Sequence, residues 1–328
     1  MEKGPVFVAG LERSGTSLMY ALLATHPGLA MTRRTNMWTY FYGQYGDLSQ
    51  PQNLENCLSM MMRYKRLVKL KPDPVRIRQD FQQSSDKSYA RLFALLEEHY
   101  AERAGKPRWG DKSLNTERYA EPIFEAYPGA RILHMIRDPR DRYASVLKRW
   151  KVRRGDVGAG TAMWLSSVSL GKENQRRYPD QYKVVRYETL VAQPEEMLGE
   201  ICDFIGEPYS PEMITMQGAK GFREQGSNSS YGQRKPGAIS TSSIGRYRQV
   251  LSSRQIAFIQ SVAKQEMQRF DYELDAIELT PADRLKLILA DWPRNMALLL
   301  TWRVREAIKD QTGRKLPDYR IVPEGGVS

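Results

Sequence analysis

The sequence predicts an α/β fold, a central, mostly parallel sheet flanked by helices, with a helical C-terminal extension. Three observations carry that expectation. Pro5-Val-Phe-Val-Ala9 reads as a fully buried strand, a glycine-rich turn and an apolar helix follow it at once, and strand and helix alternate again around Arg131–Ser145. A strand that is apolar throughout is covered on both faces, as in a parallel sheet with helical crossovers.

The turn after the first strand is Gly10-Leu-Glu-Arg-Ser-Gly-Thr-Ser17. It has the outline of a phosphate-binding P-loop, but Thr16 stands where a nucleoside triphosphatase would carry lysine. Ser17–Thr25 reads as a helix that His26-Pro27-Gly28 stops. Strand, loop and helix in that order present backbone N–H groups and the positive helix end to an anion. Arg13 adds a permanent, multi-donor cation, and with Ser14, Thr16 and Ser17 makes a ring of donors around one phosphate-sized group.

Residues 31–108 read as mixed. Trp38, Tyr40, Phe41, Tyr42 and Tyr45 cluster in a loop or short helices, where packing is the expected role and an acceptor pocket the other, and a helical pattern runs through Ser88–Arg103. Pro107-Arg-Trp-Gly-Asp-Lys112 opens a second unit, with a helix over Glu117–Ala126 and a turn at Tyr127-Pro-Gly129. Ala130–Ile136 is the next strand and Asp141–Trp150 the helix after it. Arg137 then stands at the carboxyl end of a strand, where ligands gather in parallel sheets, with Ser145 on the following helix. The pair suits a second phosphate. Asp138 and Asp141 read as caps or ion-pair partners, His134 as a satisfied core histidine and His26 as part of a turn.

Tyr182–Arg186 is a third strand with Tyr187-Glu188 at its end, and Pro194–Ile205 is helical. The polar stretch 221–243 reads as a long loop, and Asn228-Ser-Ser230 within it has the form of a glycosylation sequon but is expected to be plain loop. Helices follow from Ser252 through Met267 and from Pro281 to about Lys309. Met296–Arg305 is basic and partly amphipathic, so it is expected to dock on the core, with a membrane-surface position as the other reading.

Among the 328 residues, hydrophobic content is 41% and charged content 27%, a globular balance. Cys57 and Cys202 fit no disulfide, zinc or redox spacing, and no metal site is expected. No run of 18 apolar residues occurs, so the chain reads as neither membrane-spanning nor secreted, and a cytoplasmic location is expected. The net charge of +12 favours anionic partners. A degenerate P-loop kinase stays open on the loop alone. So does a nucleic-acid-binding protein, with cations and aromatics interleaved in Lys148-Arg-Trp-Lys-Val-Arg-Arg154 and Arg63-Tyr-Lys-Arg66.

The stretch GLERSGTSLMYALLATHP, followed by ARILHMIRDPRDRYASV, resembles the two nucleotide-binding signatures of the sulfotransferases that use 3′-phosphoadenosine 5′-phosphosulfate (PAPS). It is most similar to the branch holding the tyrosylprotein and carbohydrate sulfotransferases, whose loop carries Arg-Ser-Gly-Thr. The resemblance extends through Trp109-Gly-Asp-Lys112 and Val185-Arg-Tyr-Glu188 and, more loosely, Ile244–Arg248. It implies a P-loop-like transferase domain over residues 1–277, a helical extension over 278–328, and sulfonate transfer to a hydroxyl, or less readily an amine.

By that resemblance Arg13, Ser14, Gly15, Thr16 and Ser17 hold the 5′-phosphosulfate, Arg137 and Ser145 the 3′-phosphate, and Tyr187 and Arg246 contact the nucleotide. Arg13 and Lys112 are the implied electrophilic stabilisers of the transferring group. The reaction needs no metal, which accounts for a loop without the Walker lysine. The glutamate base of the tyrosylprotein enzymes falls at Arg34, which leaves Asp111, ahead of Glu12 and His134, as the candidate base. The implied partner is a small-molecule or glycan acceptor, an acidic one suiting the net charge, and no nucleic acid.

Overall fold

A computed structural model describes residues 3–150, 156–228 and 235–322. Five strands, β1 (Val6–Gly10), β2 (Leu29–Arg33), β3 (Arg108–Lys112), β4 (Arg131–Ile136) and β5 (Tyr182–Arg186), form one sheet in the order β2-β3-β1-β4-β5. Every pairing is parallel. β1 is central, with Val8 opposite Lys112 on one side and Gly10 opposite Met135 on the other. All five of its residues are buried, as its apolar composition requires.

Helices pack on both faces, so the α/β expectation holds. The first, α1 (Thr16–Thr25), starts at Gly15, whose φ of 94° is left-handed, and ends at His26, whose Nδ1 accepts from the Gly28 N–H at 3.0 Å. His26 is therefore a turn residue. His134 is fully buried between the Tyr182 hydroxyl, 2.6 Å from Nδ1, and the Ser167 hydroxyl, 2.9 Å from Nε2, a satisfied core histidine.

Two strands escape a reading by apolar runs. β2 has only Leu29-Ala-Met31 as an apolar run, and β3 is Arg-Trp-Gly-Asp-Lys, yet every residue of β3 is buried. Its charges are satisfied inside: the Arg108 guanidinium donates to the Ile205 carbonyl at 2.7 Å and pairs with Glu207 at 2.9 Å. The helix Val157–Arg177 is hidden by its glycines and serines. Those glycines admit close neighbours, since a Cβ on Gly160 would lie 2.8 Å from the Tyr143 ring and one on Gly171 2.8 Å from His134.

The C-terminal helix Trp292–Thr312 docks against Val157–Arg177, where the Gly158 N–H donates to Asn295 Oδ1 at 3.2 Å. A wider turn over Leu287–Asp291 precedes it, accommodating Pro293, which has no N–H to give. No helix among the described residues is long and apolar enough to cross a membrane.

Candidate functional site

The carboxyl ends of β1, β4 and β5 open into a cavity of about 600 Å³, within the range of small-ligand sites. Its floor is the turn Gly10–Thr16, folded by three left-handed residues, Gly10, Arg13 and Gly15. A Cβ on Gly15 would come within 2.5 Å of the Tyr187 ring, so the close approach of loop and tyrosine demands glycine. The Gly10 N–H donates to Glu117 Oε2 at 3.2 Å, which anchors the turn from below. The backbone N–H groups of Thr16 and Ser17 donate to nothing among the described residues, leaving the first turn of α1 open to an anion.

Arg13, Gly15, Thr16, Ser17, Arg137, Ser145 and Tyr187 all line this cavity. Arg13 Nε donates to Ser145 Oγ at 2.8 Å, which joins the two sequence motifs directly. Arg137 is 4% exposed; its Nη1 donates to the Arg13 carbonyl at 3.2 Å and its Nη2 to the Ser243 carbonyl at 2.7 Å. Its guanidinium lies 4.5 Å from the Tyr187 ring centroid, and its Nε is buried without a hydrogen-bond partner. No carboxylate pairs with it within 4.0 Å among the described residues.

Among the described residues six cations line the cavity, Arg13, Arg33, Arg34, Arg137, Lys148 and Arg149, and no acidic residue does. Partial burial, then neighbouring Arg66, Arg33, Arg149 and Arg320, lower the Arg34 pKa. A low-dielectric hollow lined by one sign of charge concentrates counter-ions.

Other residues singled out in the sequence lie outside the lining. Ser14 is buried, its N–H donating to the Leu11 carbonyl at 3.2 Å. Arg246 lies just beyond Ser243, which does line the cavity, and Asp141 holds that segment by accepting from the N–H groups of Gly245 at 2.7 Å and Tyr247 at 2.8 Å. Asp138 pairs with Arg140 at 2.6 Å. Glu12 is taken by Arg142.

Asp111 and Lys112 are buried under the β2–β3 side and do not line the cavity. Thr32 Oγ1 lies 3.1 Å from Asp111 Oδ1 and 2.9 Å from Oε1 of Glu97, a fully buried carboxyl. A hydroxyl has one proton to give, so with two carboxyls on Thr32 Oγ1 a carboxyl proton would complete a Glu97–Thr32–Asp111 chain. Burial pushes both carboxyls above their ordinary pKa, and for Glu97 the Asp111 charge adds to it. Lys112 is pushed down to about 8 by burial and then by Arg34.

Several lining residues are not evident from sequence. Arg33 ends a strand that carries only a short apolar run, and Asn228, read as plain loop, donates to the Tyr187 hydroxyl at 2.9 Å and the Ser240 carbonyl at 2.8 Å. Ser229 and Ser230 of the sequon lie outside the described residues, as does 151–154 of the basic run. Tyr64 of the other basic run is buried, its hydroxyl 3.1 Å from the Arg34 carbonyl, so it offers no stacking face. Trp38 and Phe41 are core residues, and none of the aromatic cluster lines the cavity.

A family model described as "Sulfotransferase family" matches residues 5–211. The chain belongs to the sulfotransferase family. Among curated relatives, a protein-tyrosine sulfotransferase of Drosophila melanogaster is 24% identical over 214 residues, which is 64% of this chain and 39% of that protein. Protein-tyrosine sulfotransferase A of Caenorhabditis elegans is 24% identical over 221 residues, 64% of this chain and 51% of that one. The chain thus spans about two fifths to one half of the length of these two relatives. Among solved structures, the sulfotransferase domain of the Synechococcus PCC 7002 olefin synthase has a TM-score of 0.56 at 21% identity, over 84% of this chain and 98% of that one. That likeness is one of fold. For a sulfotransferase chain, the kinase and nucleic-acid-binding readings are not favoured.

Proposed function

We propose that this sulfotransferase moves a sulfonyl group from PAPS to the hydroxyl of an anionic small-molecule or glycan acceptor, with residues 1–277 as the transferase unit and 278–328 as an extension. The carrying observation is the cavity itself: six cations and no carboxylate among its described lining residues, and a glycine-bounded loop tied by Arg13 to Ser145. A donor with a 5′-phosphosulfate and a 3′-phosphate fits such a place. Arg13, Gly15, Thr16 and Ser17 would hold the first group, and Arg137 and Ser145 the second. The orphaned Arg137 Nε and the glycine-only approach of Gly15 to Tyr187 both favour an anion and a ring at that spot.

When bound, PAPS supplies an activated sulfonyl group. The acceptor oxygen would bond to sulfur as the bond from sulfur to the phosphate-bridging oxygen breaks, releasing 3′-phosphoadenosine 5′-phosphate and, to water, the hydroxyl proton; fixed cations would contribute most at the bridging oxygen, where negative charge would develop. Arg13 reaches from the loop, and Lys112 adds positive charge from beneath. Arg33, Arg34, Lys148 and Arg149 exceed what the donor needs, which favours an acceptor that is itself anionic.

Calorimetric titration tests this. The protein should bind 3′-phosphoadenosine 5′-phosphate selectively over adenosine 5′-phosphate and magnesium ATP. Preference for magnesium ATP would overturn the reading.

A further inference from the structure

The C-terminal helical segment has two faces with different fates. Asn295, Leu299 and Glu306 are buried against the body of the protein, and Glu306 pairs with Arg118 at 3.0 Å. The remainder of the segment carries seven of the twelve exposed large apolar side chains among the described residues, all within 285–308. Leu300 is 53% exposed, Val304 59% and Ile308 52%, and their four-residue spacing sets them in one stripe.

Charge is sorted just as sharply. The acidic residues of the segment are used inward, Asp283 and Asp291 on Arg254 at 2.6 and 2.7 Å, and Glu306 and Asp310 on Arg118 and Arg314. Arg284, Arg294, Arg303 and Arg305 are exposed and pair with no carboxylate among the described residues. At about 100° per residue, Arg303 falls on one side of the Leu300–Val304–Ile308 stripe and Arg294 and Arg305 on the other. An apolar stripe edged by long cationic side chains is the pattern of a helix lying in a bilayer interface, rings and methyls in the acyl boundary and guanidinium groups at the phosphates.

We propose that the outward face of residues 285–308 is a docking surface for an anionic lipid bilayer. Charge complementarity selects this occupant over a second copy of the chain. A two-fold pairing through the stripe would bring the same unpaired arginines of both copies together, whereas anionic headgroups take each of them favourably.

The test uses the full chain with vesicles of phosphatidylcholine alone and of phosphatidylcholine with phosphatidylserine. The protein should sediment with the anionic vesicles and much less with the neutral ones. Leu300→Glu with Val304→Glu should cut that binding by about tenfold or more, since it puts charge in the apolar boundary. Arg294→Ala, Arg303→Ala and Arg305→Ala together should weaken it and flatten its salt dependence. All five positions are exposed, so retained thermal stability and bisphosphate-nucleotide binding verify folding; if the glutamates unfold the helix, the arginine set carries the same test. No sedimentation with anionic vesicles at low salt, or sedimentation that neither set weakens, overturns the proposal. So does a concentration-dependent dimer that Leu300→Glu and Val304→Glu abolish in a protein that ignores vesicles.

Discussion

The two flanks of β1 end differently. On the β4 side, Gly10 and Met135 pair at the sheet edge and the chain then opens into a hollow where Arg13, Ser145, Arg137 and Tyr187 converge. On the β3 side, the strand ends close over Thr32, Glu97 and Asp111, which meet one another rather than the cavity, while Lys112, next along the strand, is buried on the other face of the sheet. One parallel sheet thus makes an open edge and a closed edge from similar polar residues. The difference lies in how each charge is met. Arg137 is buried against carbonyls and a ring, with one nitrogen left over, so it is poised for an anion. The carboxyls opposite share the Thr32 hydroxyl, which meets both from within the fold.

Arg137→Ala is the strongest way to break the contrast. Removing a buried cation from an anion site should weaken binding of 3′-phosphoadenosine 5′-phosphate by about a hundredfold, to near the affinity for adenosine 5′-phosphate. It should also destabilise the fold by about 1–3 kcal/mol, because the carbonyls of Arg13 and Ser243 lose their donor. Calorimetry and thermal unfolding read both. A variant that still prefers the 3′-phosphorylated nucleotide as strongly as the wild type would remove Arg137 from the site.

Lys112 sits between the two flanks, paired in register with Val8. If its charge acts on the reaction, turnover should fall as pH rises through about 8, the value to which burial depresses the ammonium. Lys112→Met should be slower by about tenfold below that pH and should lack this limb. Stability follows the opposite course. A folded pKa below the ordinary 10.5 means that the folded chain holds fewer protons than the unfolded one between about 8 and 10.5, so this group's contribution rises with pH there. A pH–rate profile identical in shape for both proteins would confine Lys112 to support.

Much of the open edge is legible in the sequence because its parts are local. An apolar strand, a glycine-bounded turn and a helix are contiguous, and Arg137 follows an apolar strand by one position. The closed edge is not, because tertiary burial overrides composition there. Arg-Trp-Gly-Asp-Lys makes a central strand only because Glu207, Thr32 and the Ile205 carbonyl receive its polar groups from distant segments. Likewise motif position made Asp111 a candidate base, but alternation along a strand decides which way a side chain faces, and Asp111 faces Thr32. Arg33 and Asn228 reach the cavity from a five-residue strand and from a polar loop, neither of which has a periodicity to read.

The smallest effect should separate the flanks most cleanly. Glu97 has a folded pKa well above the ordinary 4.5, so between those values the folded protein holds a proton that the unfolded chain has released. Stability from this group is then full below about 4.5 and is lost as pH rises through the folded value. Glu97→Gln is neutral at every pH, and its amide oxygen can accept from the Thr32 hydroxyl as the carboxyl does. Its melting temperature should therefore climb relative to the wild type as pH rises from 5 to 8, while nucleotide affinity stays unchanged because Glu97 does not line the cavity. Parallel melting curves across that range would mean that the Glu97–Thr32–Asp111 chain holds no extra proton. A tenfold loss of nucleotide affinity would mean that the closed edge shapes the open one, and the two flanks would have to be treated as a single site.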